Sequence, residues 1–195
     1  MLVFPELCHS CYGCLETCPT GAIDEGFHVI GRTGVTRHGP LTLVSGELEI
    51  GQPATTRMVA ATKSRTVASD GLRIYDSPPG TSCPVIEAVK GVDYVLLVTE
   101  PTPFGAHDLD LMIRTMGRLG KPCGVVINKA MHDNQLIERY CREAGVEILF
   151  RIPLSSDIAR DYSRGKLIAE TIPESREWFE TLLAAVRRRA REVAA

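Results

Sequence analysis

The chain has 195 residues, a formal net charge of -2 and 44% hydrophobic residues, a composition typical of an ordinary globular protein. This charge balance has no basic excess that would point to nucleic acid as the main partner. No apolar run approaches the roughly 18 residues of a membrane-spanning helix, and the first residues lack the pattern of a signal peptide. We therefore expect a cytoplasmic protein with no membrane span.

Four of the seven cysteines lie close together in the run Cys8-x2-Cys11-x2-Cys14-x3-Cys18-Pro19. Clustered thiols in a cytosolic chain point to a metal. The spacing is that of bacterial ferredoxins, where closely spaced thiolates hold one iron-sulfur cube and the last cysteine ligates a neighbouring one. A structural zinc site is the alternative, but it usually pairs two Cys-x2-Cys knuckles across a longer loop. The run predicts that these four cysteines ligate 4Fe-4S clusters.

The run supplies three ligands for one cluster and leaves the source of the fourth open. The sequence has no second run, so we expect both the missing ligand and the neighbouring cluster of Cys18 to belong to sequence upstream of Met1. Cys83 is the alternative fourth ligand. Otherwise we expect Cys83, Cys123 and Cys141 to be buried or half-buried thiols that behave as small hydrophobes.

The pattern between the cysteine run and residue 64 is weak. Short strands are predicted over residues 27–30 and 41–44, and a helix over residues 53–64 with proline at its first position. The isolated histidines are interpreted as surface or packing residues; they are His9, His28 and His38. We place a ferredoxin-like iron-sulfur module at residues 1–40 and a second domain at residues 41–195.

From Gly71 onward, apolar strand-like runs alternate with amphipathic helical segments. Such alternation with short connections predicts an α/β fold with parallel strands, and continuously apolar strands predict helices on both faces of the sheet. We therefore predict a doubly wound parallel sheet. The predicted strands cover residues 72–76, 94–99, 123–128 and 147–152, and the predicted helices cover residues 107–119, 134–144 and 174–192.

Polar residues follow these predicted strands. Asp76 ends the first strand and enters a turn containing Pro79, Gly80 and Thr81. In an open parallel sheet, ligands bind outside the carboxyl ends of the strands. An acid there suits a magnesium ion or a water beside a nucleotide phosphate, so Asp76 is the catalytic candidate, and the turn residues are candidates for approaching the phosphate.

The other strand ends supply Glu100, Asn128 and Pro153 as cofactor-binding candidates. The side-chain amide of Asn128 offers one donor and one acceptor, which complement the edge of adenine. We expect all four strand ends to converge on one rim.

Three segments carry a resemblance to a known family: residues 76–85 (DSPPGTSCPV), 98–105 (VTEPTPFG) and 125–129 (VVINK). Together with the cysteine run, they closely resemble the MinD/Mrp-like ATPases that carry an inserted ferredoxin domain. The resemblance implies a P-loop NTPase-like sheet, in which residues 41–195 are the C-terminal part of a nucleotide-binding domain. It also implies ATP or ADP with Mg2+, 4Fe-4S clusters and a nucleotide-switched dimer. It matches Asp76 to the Walker B acid and Asn128 to the adenine-contacting position.

The sequence departs from that family because it lacks the glycine-rich phosphate loop. Neither Gly120-Lys121 nor Gly165-Lys166 has the upstream glycine or the following Ser/Thr of that motif. We expect a truncated chain, or a partner chain that supplies the loop, and no ATP hydrolysis by this chain alone. Loss of the first strand would leave open strand edges, so the isolated chain is expected to aggregate or dimerise.

The leading hypothesis is an iron-sulfur, ATP-binding protein in which nucleotide-dependent dimerisation is coupled to electron transfer or cluster handling. Its partners would be a second copy or a homologous ATPase chain, and a redox or iron-sulfur client. Two alternatives stay open: an iron-sulfur carrier or assembly scaffold, and a non-enzymatic ferredoxin-like module on a degenerate ATPase scaffold.

Overall fold

The computed structural model describes residues 4, 7, 8, 11–66, 71–131 and 135–194. Contacts divide the chain into an N-terminal unit, Met1–Lys90, and a C-terminal unit, Gly91–Ala195. The predicted division of the sequence at residue 40 stays a prediction. Among the described helices, none combines the length and the apolar character needed to cross a membrane.

The described part of the N-terminal unit contains a two-stranded antiparallel hairpin and three helices. The strands pair from Gly31 opposite Leu48 to His38 opposite Leu41, and Gly39 turns the chain with a φ of 54°. The elements are α1 (Gly13–Glu16), β1 (Gly31–His38), β2 (Leu41–Leu48), α2 (Thr55–Ser64) and α3 (Cys83–Val89).

The sequence located β2 and α2 but misplaced β1. The strand predicted over residues 27–30 is wrong, because Phe27 and Val29 are exposed and β1 begins at Gly31. The end of the partner strand β2 determines where β1 begins. Beyond Leu48, the chain enters a turn at Gly51, so β2 offers no further partner to the residues before Ile30.

Helix α2 packs on the hairpin where two glycines leave room. Met58 is buried, and a Cβ placed on Gly31 would lie 2.5 Å from Met58 Cε, while one on Gly46 would lie 2.9 Å from Met58 Sδ. No real side chain tolerates such distances. The absence of side chains at Gly31 and Gly46 therefore sets the close approach of α2 to the hairpin.

The strand predicted over residues 72–76 is also wrong. This segment carries no strand structure, and the side chains of Leu72 and Ile74 are 53% and 83% exposed. An apolar run becomes a strand only beside a hydrogen-bonding neighbour, and the two strands described in this unit pair with each other. Asp76 therefore follows an irregular, exposed segment.

The C-terminal unit is built on a parallel sheet in the order β3-β4-β5. Val95 to Thr99 pair with Cys123 to Ile127, and the β4–β5 ladder extends to Ala130 opposite Pro153. These strands confirm the predicted parallel α/β pattern. They are β3 (Val95–Thr99), β4 (Cys123–Ala130) and β5 (Ile148–Pro153), accompanied by α4 (Pro103–Arg118), α5 (Leu136–Ala144), α6 (Ser156–Ser163), α7 (Ile168–Thr171) and α8 (Ser175–Ala194).

The core of this unit lies around β4. The buried side chains come from β3, β4, α4 and α5, and they include Leu97, Leu109, Met116, Val125, Val126, Ile127 and Ile137. The prediction that helices cover both faces fails for β3, where Leu96 and Val98 are exposed, Val98 by 62%. In the described part of the sheet, β3 is an edge strand, and only one of its faces is covered. The finer prediction of a doubly wound P-loop sheet stays a prediction.

The predicted helices of this unit are confirmed with shifted ends. Helix α4 begins at Pro103 because the side chain of Thr102 accepts a hydrogen bond from the Gly105 amide and so caps the helix. Helix α5 stops at Gly145, which has a φ of 68°, while its predicted first residue, Asn134, lies outside the described residues. Phe179 of α8 is exposed.

Candidate functional site

The cysteine segment bends sharply between its second and third cysteines. Tyr12 adopts a left-handed conformation with a φ of 62°, and its carbonyl accepts hydrogen bonds from the amides of Leu15 and Glu16. Few residues other than glycine adopt this backbone conformation. The bend lets short helix α1 follow Cys11 directly, so that Cys14 lies on the helix and Cys18 beyond its end.

The four predicted cluster ligands all lie on or near the surface. Cys8, Cys11 and Cys14 are exposed, and Cys18 is half-buried. Within the residues that the structure describes, no three His, Cys, Asp or Glu side chains come together at a metal-binding distance. The predicted ligands therefore share one segment but are not gathered around a point. Ligand convergence and metal binding are coupled, because the bonds to the metal provide the energy that orders the ligands.

The chemistry of these donors fits an iron-sulfur cluster. Cluster ligands are thiolates. At Cys18, the Thr20 hydroxyl lies 3.6 Å from the sulfur. This hydrogen bond, helped by nearby backbone amides, lowers the pKa of the Cys18 thiol below its usual value. Cys8, Cys11, Cys14 and Cys18 are the residues that would hold clusters, and a bound 4Fe-4S cluster would supply one-electron redox chemistry.

The remaining cysteines have different surroundings. Burial raises the pKa of the Cys123 thiol, and burial, reinforced by the nearby Glu138 carboxylate, raises the pKa of Cys141 to about 11. These two thiols are protonated at neutral pH and behave as the small hydrophobes predicted from the sequence. Cys83 is exposed, so the prediction that it is buried or half-buried is wrong.

The turn predicted to approach a phosphate lies in the N-terminal unit. Asp76, Pro79, Gly80 and Thr81 are all exposed, and Gly80 has a φ of 88°, which requires glycine there. Helix α3 begins shortly afterwards at Cys83. The turn is thus open to solvent, and its predicted role stays a prediction.

The other three candidates lie at the carboxyl edge of the sheet in the C-terminal unit. Glu100 follows β3, Asn128 lies near the end of β4, and Pro153 ends β5 beside Ala130. The parallel sheet places these three along one edge, as expected. Asp76 belongs to the other unit, so the expected convergence of all four stays a prediction.

An ion pair that the sequence did not predict joins the ends of β3 and β4. The Lys129 ammonium lies 2.7 Å from the Glu100 carboxylate, and Lys129 has a φ of 54°. A left-handed conformation costs roughly 1–2 kcal/mol for a residue that is not glycine. The strained backbone directs a lysine to the edge where Asn128 lies. The sequence signal available for this ion pair was an Asn-Lys pair at a strand end, but the presence of a lysine does not indicate that its φ is positive.

A half-buried junction holds Glu100 in place. The Thr99 hydroxyl donates to the Gly105 carbonyl at 2.9 Å, and the Gly105 amide donates to the Thr102 hydroxyl at 3.0 Å. A Cβ on Gly105 would overlap the Glu100 carbonyl oxygen and lie 2.9 Å from Thr99 Oγ1. The connection from β3 to α4 therefore requires glycine. The Thr102-Pro103 pair was the sequence signal for this cap.

Comparison with known proteins supports the iron-sulfur interpretation. The family model of the 4Fe-4S binding domain, Fer4, matches residues 1–24. The chain is also similar to two uncharacterized proteins of Methanocaldococcus jannaschii. It is 32% identical to MJ0579 over 51% of this chain and 42% of that protein, and 33% identical to MJ0578 over 47% of this chain and 34% of that protein. The chain thus spans less than half the length of either relative. The N-terminal segment is a ferredoxin-like 4Fe-4S binding region.

Proposed function

We propose that this protein is an iron-sulfur protein of MinD/Mrp type, in which Cys8, Cys11 and Cys14 ligate one 4Fe-4S cluster and the C-terminal unit contributes to a nucleotide site. The observation that carries the proposal is the Cys-x2-Cys-x2-Cys-x3-Cys-Pro run inside the segment that matches the 4Fe-4S binding domain. Cys18 would ligate a second cluster, which requires cysteines outside this chain.

Cluster reconstitution tests the first part. The full chain is incubated anaerobically with iron and sulfide, and bound iron, acid-labile sulfide and the visible charge-transfer absorbance are measured. Cys11→Ser and Cys14→Ser should each lose most of the bound iron and the absorbance. Cys83→Ser is the matched control, since Cys83 is also exposed but lies outside the run.

The control decides between two ligand sets. If Cys83→Ser keeps wild-type iron, Cys83 is not the fourth ligand. If it loses iron as Cys14→Ser does, the fourth ligand comes from this chain, and the expectation of an upstream ligand is wrong. Wild-type iron content in both Cys11→Ser and Cys14→Ser would refute cluster ligation by the run.

The nucleotide part of the proposal assigns roles along the carboxyl edge of the sheet. Asn128 would bind the adenine edge, with Glu100 and Pro153 beside it, and Asp76 would hold Mg2+ or its water near the phosphates. The parallel strands, which place polar groups at their carboxyl ends, support this assignment. Nucleotide binding would then favour pairing with a second copy or a homologous chain.

Titration calorimetry with Mg2+-ADP tests this part. Losing a paired amide contact to a base costs about 1–3 kcal/mol, so Asn128→Ala should weaken binding roughly 5- to 150-fold. Asp76→Asn should reduce the dependence of binding on Mg2+. Asp108→Asn, which removes an exposed carboxylate on α4, should have no effect. Binding unaffected by Asn128→Ala would refute the assignment.

A cluster carrier is the second candidate, and the exposure of Cys8, Cys11 and Cys14 favours it. Exposed ligation allows an acceptor protein to reach the cluster, whereas an electron-transfer site keeps its cluster through redox cycles. Incubation of the reconstituted protein with an apo-ferredoxin distinguishes them. Transfer of iron and sulfide supports a carrier, and a cluster retained through repeated reduction and oxidation supports electron transfer.

A further inference from the structure

Helix α2 contacts two different parts of the N-terminal unit. Met58 packs into the space left by Gly31 and Gly46 on the β1–β2 hairpin, which follows the cysteine segment in the chain. Thr62, one turn further along, also lies against Gly46, where an added Cβ would overlap its hydroxyl. These residues attach α2 to the hairpin.

The next residue, Lys63, contacts the end of α3. Its ammonium donates hydrogen bonds to the carbonyls of Glu87, Ala88 and Lys90 at 2.9, 2.8 and 2.7 Å. The last carbonyls of a helix have no partners within the helix and carry partial negative charge. Lys63 therefore uses all three of its donors to bind the terminus of α3.

The same ammonium contacts the chain just before Asp76. Lys63 Nζ lies 4.9 Å from the centre of the Tyr75 ring, within the range of a cation–π interaction. Tyr75 is half-buried, whereas its neighbours Ile74 and Asp76 are exposed. Tyr75 is thus an anchored residue in an otherwise exposed segment.

Lys63 therefore contacts the chain before residues 76–82, at Tyr75, and after them, at the last turn of α3. Tyr75 precedes the segment, and α3, which begins at Cys83, follows it. Between them the segment contains exposed residues and a positive-φ glycine, Gly80. With few internal contacts, the conformation of such a segment depends on how its two ends are held.

We propose that Lys63 is a positioning residue: it holds the turn of residues 76–82, and through α2 it couples this turn to the hairpin next to the cluster segment. The functional meaning of the coupling rests on the proposed function, in which Asp76 serves a nucleotide and the cysteine run binds a cluster. A change at either site is then transmitted to the other by a shift of α2.

Hydrogen exchange of the full chain, followed by mass spectrometry, tests the positioning step. Lys63→Met keeps the length of the side chain but removes its charge and donors, and amide exchange over residues 76–82 should accelerate about tenfold or more. Lys63→Arg retains a cation with several donors and should restore exchange to within about threefold of wild type.

Lys90→Met is the matched control. Lys90 lies at the same end of α3, but its side chain makes an exposed ion pair with Glu87, at 2.5 Å. Exposed ion pairs contribute little to stability, so amide exchange over residues 76–82 should change less than about threefold in Lys90→Met. If Lys63→Met accelerates exchange only within α3, Lys63 is a helix cap and the positioning proposal is wrong.

The coupling step is tested from the hairpin. Gly46→Ala introduces a Cβ against Thr62, whereas on Gly34 a Cβ would meet only the Ser45 hydroxyl, at 3.2 Å. Gly46→Ala should accelerate exchange over residues 76–82, and Gly34→Ala should not. If circular dichroism shows that Gly46→Ala does not fold, the measurement is made instead on Met58→Leu, a milder change on the same face of α2. Unchanged exchange in the folded variants would overturn the coupling.

This measurement is independent of nucleotide and cluster. If calorimetry detects no Mg2+-ADP binding while Lys63→Met still loosens residues 76–82, the nucleotide assignment fails and the positioning role stands. If binding is detected and Lys63→Met neither weakens it nor changes exchange, the positioning role fails and the nucleotide assignment stands.

Discussion

The connection between β3 and α4 offers a sharp test of how the sheet edge is held. Gly105→Ala adds one methyl group where the Glu100 carbonyl oxygen and the Thr99 hydroxyl already lie. The carbonyl belongs to the backbone and cannot rotate away, so the first turn of α4 must move. This movement breaks the hydrogen bond from the Thr99 hydroxyl to the Gly105 carbonyl and disturbs the Thr102 cap.

The expected magnitude follows from these contacts. A half-buried hydrogen bond contributes about 1 kcal/mol, and loss of an N-cap costs about 0.5–2 kcal/mol. Alanine is better than glycine within a helix by about 1 kcal/mol, which offsets part of the loss. Overpacking adds about 1–3 kcal/mol. We expect Gly105→Ala to lower the free energy of unfolding by about 1.5–5 kcal/mol.

Urea denaturation followed by circular dichroism measures the effect, and Gly117→Ala provides the control. Gly117 lies in the same helix, and a Cβ there would meet nothing within 4 Å. Gly117→Ala should therefore raise the free energy of unfolding by about 0.5–1 kcal/mol. If the two variants shift the midpoint in the same direction, the steric argument for Gly105 is wrong.

Three further predictions concern the C-terminal unit. Burial, together with the 2.5 Å hydrogen bond to Asp110, raises the pKa of Tyr140 from 10.0 to about 12. Because the folded state keeps the Tyr140 proton more tightly, Tyr140 contributes stability that is lost as the pH rises from 10.0 to about 12. The urea midpoint of the wild type should fall over this pH range through this contribution, and the midpoint of Tyr140→Phe should lack it. Ile137→Ala, in the buried core, should cost about 2–5 kcal/mol in the same assay. Because Lys129 has a positive φ, Lys129→Gly should be more stable than Lys129→Ala by about 1 kcal/mol.

The site could be predicted from sequence where local spacing determines the chemistry. The cysteine run identified the 4Fe-4S region that the family comparison supports, because ligand spacing is a local property of the chain. The alternation of strands and helices likewise predicted that Glu100, Asn128 and Pro153 lie along one edge of a parallel sheet.

Features that depend on a distant partner could not be predicted. The apolar run before Asp76 has the composition of a strand, yet it forms none in this structure, and the two strands described in its unit pair with each other. The contacts of Lys63 with α3 and Tyr75 join residues that are far apart in sequence, and a single lysine on a helix carries no signal of them.

The sequence by itself determined the donor set of the cysteine segment, the parallel α/β pattern of the C-terminal unit and the helix stop at Gly145. Each follows from spacing, periodicity or backbone freedom within a few residues. Tertiary structure alone decided which apolar runs become strands, which face of β3 stays exposed, and that Lys63 contacts both Tyr75 and the end of α3. Strand pairing, burial and capping by a distant side chain are properties of neighbours in space, and these neighbours exist only once the chain has folded.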